Sequence, residues 1–138
     1  MKAYLAIKYQ ENKNKKLIED VSRVVEQAGY QTTVMFRDYE KWGKKRFTSQ
    51  ELMELSFKLI QESDCLIIEF SEKGVGLGIE AGYAYAKKIP IIVVAKEGSD
   101  ISATLQGIAK KIIFYKNIEE LEKSLKETNL RTSPQHLQ

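Results

Sequence analysis

With a single cysteine, Cys65, the chain can build neither a disulfide framework nor a cysteine-based zinc site. The only histidine, His136, sits in a polar C-terminal stretch (RTSPQHLQ), which argues against a histidine general base or a histidine-rich metal site. Long apolar runs are missing as well. The longest near the middle, 89–95, is interrupted by Pro90 and falls far short of the ~20 residues a membrane-spanning helix needs. The N-terminus, MKAYLAIKYQ, turns charged after Ile7 and has no signal-peptide core. Charge of one sign is not in excess either: 22 Lys+Arg against 19 Asp+Glu leave +3, with the signs interspersed. A nucleic-acid binder usually carries a concentrated basic face. Here the one dense cluster, Lys41, Lys44, Lys45 and Arg46, suits a single phosphate group rather than a duplex. The expectation is a cytoplasmic protein with no nucleic-acid polymer and no membrane as partner.

What is present is an alternation of strand and helix patterns. Residues 3–7 form a short apolar stretch, a first strand. Over 14–28 the apolar positions Leu17, Ile18, Val21, Val24, Val25 and Ala28 recur at helical spacing, and Gly29 follows as a helix terminator. Residues 32–36 read as a second strand, and 37–47 (RDYEKWGKKRF) as a long polar loop with neither period. Thr48 and Glu51 have capping-box spacing and open a second helix that buries Leu52, Leu55, Leu59 and Ile60. The nearly unbroken apolar run 64–70 (DCLIIEF) suits a central parallel strand covered on both faces, with Cys65 in the core. A glycine-rich turn (SEKGVGLG) leads to a third helix over 79–87; strands over 89–95 and 111–115 and helices over 102–109 and 118–126 complete the pattern. This predicts one doubly wound α/β domain over 1–127, flavodoxin-like or Rossmann-like, with a five-stranded parallel sheet in the order 2-1-3-4-5, helices on both faces and a flexible tail over 128–138. Ligands of such sheets bind beyond the carboxyl ends of the strands at the switch point, here between strands 1 and 3.

The stretch Gly74-Val75-Gly76-Leu77-Gly78-Ile79-Glu80 falls at that point. Alternate glycines let a ligand approach the backbone closely. The spacing is neither a dinucleotide fingerprint nor a P-loop. Glu80 is expected in the first turn of the third helix, where the helix dipole keeps a carboxylate ionised at neutral pH. Such a carboxylate suits attack on, or electrostatic support of, a sugar carbon with oxocarbenium character. It equally suits plain helix stabilisation, since glutamate is common in first turns.

The run Asp64-Cys65-Leu66-Ile67-Ile68-Glu69-Phe70, then Gly76, Gly78, Glu80, Gly82 and Ala84 in a G-x-G-x-E-x-G-x-A pattern, then Lys88-Ile89-Pro90, resembles the nucleoside 2-deoxyribosyltransferase family. That family includes 2′-deoxynucleoside 5′-monophosphate N-glycosidases. The resemblance runs loosely from Tyr4 to about Tyr115. It implies that Glu80 attacks C1′ of the sugar, that Tyr4 hydrogen-bonds Glu80, and that Ser102 contacts a 5′-phosphate across a homodimer. Read locally, Tyr4 is also a core aromatic and Ser102 also a helix N-cap. The chain departs from the family pattern at three places: Ile7-Lys8 replaces a small pair, Ser56 stands where an aspartate is usual, and Gly74 replaces serine or aspartate. Lys8 could supply a charge for phosphate, and Trp42 and Arg46 in the long loop could fold over the site, Trp42 stacking on a base.

The sequence therefore points to an enzyme cleaving the N-glycosidic bond of a (deoxy)nucleoside or its 5′-monophosphate and passing the sugar to another base or to water. No metal or redox cofactor is required. The alternative is a catalytically inactive nucleotide-binding module of the same fold, motivated by Ser56. A flavodoxin-like electron carrier fits poorly, because the loop after the first strand lacks a hydroxyl-rich phosphate cradle.

Overall fold

The computed structural model describes residues 1–10 and 13–128. His136 and all of the expected tail except Thr128 lie outside the described residues. Five strands, β1 (Lys2–Ile7), β2 (Gln31–Thr33), β3 (Cys65–Glu69), β4 (Ile91–Lys96) and β5 (Lys111–Tyr115), form one parallel sheet in the order β2-β1-β3-β4-β5. The connecting helices are α1 (Lys15–Gln27), α2 (Ser49–Gln61), α3 (Val75–Ala86), α4 (Ala103–Ile108) and α5 (Ile118–Glu127). No helix among the described residues is long and apolar enough to cross a membrane.

Successive side chains of a strand point to opposite faces, and that parity divides the core. Ala3, Leu5, Cys65, Ile67, Ile92, Val94, Ile113 and Tyr115 pack with α1 and α5. Tyr4, Ala6, Leu66, Ile68, Ile91, Val93 and Ala95 pack with α2, α3 and α4. Tyr4 thus meets α3 because it is an even-numbered residue of β1. The odd parity of Glu69 sends it the other way, where its buried carboxylate accepts from the Tyr115 hydroxyl at 2.5 Å, the Ser71 hydroxyl at 2.6 Å and the Ser71 N–H at 3.0 Å. The Ser71 hydroxyl also accepts from the Lys96 N–H at 2.9 Å, which ties the ends of β3, β4 and β5 together.

Three local features differ from the sequence expectation. First, β2 stops at Thr33 instead of running to Phe36. The Val34 N–H donates to Asp38 Oδ2 (2.9 Å) and its carbonyl accepts from the Asp38 N–H (2.8 Å). Both ladder groups are spent locally, so the chain leaves the sheet. Second, the expected long loop is not irregular. It contains a π-helical turn over Met35–Tyr39 and a 3-10 turn over Lys41–Gly43, with Lys41, Trp42 and Gly43 all at positive φ (51°, 59° and 91°). Third, α3 begins at Val75 behind the extended Gly74 (φ −157°, ψ 142°), so Gly76 and Gly78 are helical residues rather than parts of a turn. The burial of Leu77, Ala81 and Ala84 against the sheet outweighs the poor helix propensity of those glycines. The capping box of α2 is formed as its spacing predicts: Thr48 Oγ1 accepts from the Glu51 N–H and Glu51 from the Thr48 N–H.

Candidate active site

Beyond the carboxyl ends of β1 and β3 lies a cleft of about 220 Å³. Besides Ile18 of α1, its walls come from four places. The end of β1 supplies Tyr4, Lys8 and Tyr9; α2 supplies Leu52, Met53 and Ser56; the start of α3 supplies Gly74, Gly76, Leu77 and Glu80; and the segment after β2 supplies Met35, Phe36 and Glu40. Six positions singled out in the sequence, Tyr4, Lys8, Ser56, Gly74, Gly76 and Glu80, therefore share one cavity. Four others, Trp42, Arg46, Gly78 and Ser102, lie elsewhere.

Glu80 is the sixth residue of α3, one turn deeper than expected, because the helix starts at Val75. There the terminal N–H groups no longer hold its charge. It is partly buried, and Tyr4 donates to its Oε2 at 2.8 Å. Burial pushes its pKa from the ordinary 4.5 to about 7, while the Tyr4 hydrogen bond pulls the other way. This corrects the expectation of a fully ionised carboxylate at neutral pH: desolvation wins over the dipole once the residue moves inward. The same burial, with the adjacent Glu80 charge, drives the Tyr4 hydroxyl far above its usual range, so it remains a neutral donor. Buried Ser56 places Oγ 3.5 Å from the Tyr4 hydroxyl.

Lys8 runs along the N-terminal end of α3; its Cγ and Cδ lie 3.7 and 3.5 Å from where a Cβ on Gly74 would stand. The loop carrying it is fastened by Asn14, whose Nδ2 donates to the Lys8 carbonyl (2.6 Å) and whose Oδ1 accepts from the Gln10 N–H (3.0 Å). Two aromatics close one side. The rings of Tyr9 and Phe36 stack with centroids 3.4 Å apart and planes 20° apart. A Cβ on Gly76 would meet nothing within 4 Å, so the glycine leaves space open to the cleft. Gly76→Ala should accordingly raise the folding stability by about 0.5–1 kcal/mol, the helix-interior preference for alanine, yet raise KM several-fold. Thermal melts and steady-state kinetics on the same preparation check both halves.

Trp42 does not cover the cleft. It lies edge-on to Phe36 (5.6 Å, 72°), with Lys15 Nζ 4.8 Å over its ring, and packs against the layer beneath α1. Arg46 is exposed and lines no part of the cleft, since the left-handed run at 41–43 turns the basic stretch outward. Ser102 and Gly78 line a second hollow, of about 620 Å³, with Lys73, Val75, Gly82 and Thr104. Ser102 stands at the N-cap position of α4, but its hydroxyl makes no capping hydrogen bond. Val75 and Ile79, next to this hollow, are 82% and 48% exposed. Sequence reasoning missed Tyr9, Phe36, Glu40 and Asn14. Phe36 was hidden in an apparent strand and Glu40 in a charged loop without periodicity; only the Asn14 position, at a helix start, carried a usable signal.

Residues 3–129 match the model of the nucleoside 2-deoxyribosyltransferase family. Among curated relatives, a protein of Syntrophotalea carbinolica with the provisional name 2′-deoxynucleoside 5′-phosphate N-hydrolase 1 is 37% identical over 76 residues, 53% of this chain and 54% of that one. A Methanococcoides burtonii protein with the same provisional name is 35% identical over 71 residues, 51% and 58% of the two chains. The match thus spans little more than half the length of these relatives. Among solved structures, the Clostridium botulinum CMP N-glycosidase superposes with a TM-score of 0.69 at 22% identity, covering 93% of this chain and 100% of that one. The 2-deoxyribosyltransferase of Bacillus psychrosaccharolyticus gives 0.73 at 13% identity, covering 96% and 95%. At these identities the two superpositions speak for the fold.

Proposed function

Because the chain belongs to the nucleoside 2-deoxyribosyltransferase family, we propose that it cleaves the N-glycosidic bond of a (deoxy)nucleoside 5′-monophosphate, with Glu80 as the nucleophile. The observation that carries this reading is the Tyr4–Glu80 pair: a carboxylate near neutrality in titration, held by one neutral donor at 2.8 Å, in a cleft at the switch point of the sheet. Glu80 attacks C1′ in its ionised form and the base departs. The resulting glycosyl ester then passes its sugar to water or to a second base. Tyr4 fixes the attacking oxygen and prevents its rotation. Lys8, with the backbone of Gly74 and Gly76 at the open end of α3, faces the side where a phosphate is best received. The provisional names of the curated relatives agree with a phosphorylated substrate.

Ser102 reaches this chemistry only through a second copy of the chain, since in its own chain it lines the neighbouring hollow. We therefore propose a homodimer formed around the exposed Val75 and Ile79 of α3, with Ser102 of one protomer contacting the phosphate bound by its partner. The deciding experiment incubates the protein with each deoxynucleoside and its monophosphate, with and without a second free base, and follows base release. Release from a monophosphate without an acceptor base identifies a hydrolase, and exchange identifies a transferase. No release from any of them overturns the proposal. Ser102→Ala should raise KM about tenfold or more for a monophosphate, the worth of one charge-assisted hydrogen bond, and leave a free nucleoside untouched.

A further inference from the structure

Departure of a nucleobase anion from C1′ is slow unless a proton reaches the ring as the bond breaks. Resting on the glycosidase reading, we infer that Glu40 is that proton donor, a second catalytic carboxyl contributed by the turn after β2. The polar side chains lining the cleft are Tyr4, Lys8, Tyr9, Glu40, Ser56 and Glu80. Tyr4 is committed to Glu80, and Ser56 lies beside the Tyr4 hydroxyl. The Lys8 stem lies along the N-terminal end of α3, where an anion belongs. Tyr9 has its ring stacked on Phe36. Glu40 alone is a carboxyl besides Glu80, and among the described residues it makes no side-chain hydrogen bond or ion pair.

Two further observations fit this role. Burial lifts the Glu40 carboxyl above its ordinary range, so more of it keeps a proton to give. Its backbone is pinned on both sides: the N–H donates to the Met35 carbonyl (3.0 Å), and the carbonyl accepts from the N–H groups of Gly43 (2.9 Å) and Lys45 (3.0 Å). The left-handed residues Lys41 and Trp42 follow at once. Non-glycine residues in that region are strained, and such strain persists where surrounding structure enforces it. Here it turns the chain back so that Glu40 stays on the cleft wall.

The step balances as follows. A Glu80 oxygen bonds C1′ while the C1′–N bond breaks; its electron pair leaves with the base, and the Glu40 proton joins a ring nitrogen. Water then attacks C1′, Glu40 takes one of its protons, and the ester breaks to regenerate the Glu80 carboxylate. Both carboxyl groups return to their starting states.

Glu40→Gln keeps the size of the side chain but has no proton to give. The test compares a natural monophosphate with the matching 4-nitrophenyl 2-deoxyriboside 5′-phosphate, whose nitrophenolate leaves without protonation. The variant should lose about 10²–10³ in kcat/KM on the nucleotide and stay within about threefold of wild type in kcat/KM on the nitrophenyl compound, since kcat/KM covers only the steps through glycosyl-ester formation and not the later one in which Glu40 deprotonates water. That second figure also reports a folded, competent site. An equal loss on both substrates, or no loss on either, overturns the assignment of Glu40 while leaving Glu80 in place. A wild-type protein that cleaves neither compound overturns the glycosidase reading itself, and Glu40's role with it.

Discussion

Glu80→Gln should be inactive and, above pH 7, more stable than the wild type. The inactivity follows from the proposed chemistry: a glutamine oxygen does not form the glycosyl ester, so base release should fall by at least about 10³. The added stability follows from linkage. The folded-state pKa of about 7 lies above the ordinary 4.5. Between those values the native protein binds more protons than the unfolded chain, so wild-type stability declines as pH rises from about 4.5 to 7 and the deficit is complete above 7. Glutamine still accepts from Tyr4 but carries no charge to desolvate. Allowing for partial exposure, the gain at pH 8 should be on the order of 1–3 kcal/mol, a rise of several degrees in Tm. At pH 4 the two proteins should melt together. Melts at both values, beside a base-release assay, check the prediction. A variant less stable at pH 8 would mean that the charge of Glu80 is held by groups the cleft does not show.

Tyr4→Phe should separate positioning from nucleophilicity. The Tyr4 hydroxyl bond is the one influence that lowers the pKa of Glu80 against burial. Removing it should shift the ascending limb of kcat/KM from near pH 7 to higher pH. At pH 7 the loss should be about 10–100-fold, and raising the pH should restore part of it, whereas Glu80→Gln gains nothing at any pH. Stability should fall by about 1–3 kcal/mol at pH 8, since a buried carboxylate then lacks its donor. A pH–rate series on the three proteins carries the test.

Much of this arrangement could be read from residue order. Unbroken apolar runs at β3 and β4 marked the strands buried on both faces, and the capping box and heptad-like spacings marked α1 and α2. The order of strands followed from size and alternation, and the switch-point rule then pointed to the cleft. Errors arose where local backbone chemistry overrode composition. Nothing in the residue types announces that Asp38 captures both backbone groups of Val34 and so ends β2 early. Gly76 and Gly78 read as a turn because intrinsic preference disfavours them in helices, whereas the sheet-facing Leu77, Ala81 and Ala84 decide the outcome. With the helix start shifted, Glu80 lies deeper along α3, and burial lifts its pKa to about 7. Glu40 could not be singled out because its approach to the cleft depends on the positive-φ run at Lys41, Trp42 and Gly43, of which only the glycine favours such a conformation.

Tyr4 and Glu80 are 76 positions apart, on the first strand and the third helix. Closing that loop requires β1 and β3 to be paired and α3 to be docked, and no shorter segment of the chain brings the two together. Occupancy by a tight substrate analogue would thus report the fully assembled sheet rather than any partly folded species. Its stabilisation should grow with free concentration as RT ln(1 + [L]/Kd), the limit for a ligand that ignores the unfolded chain.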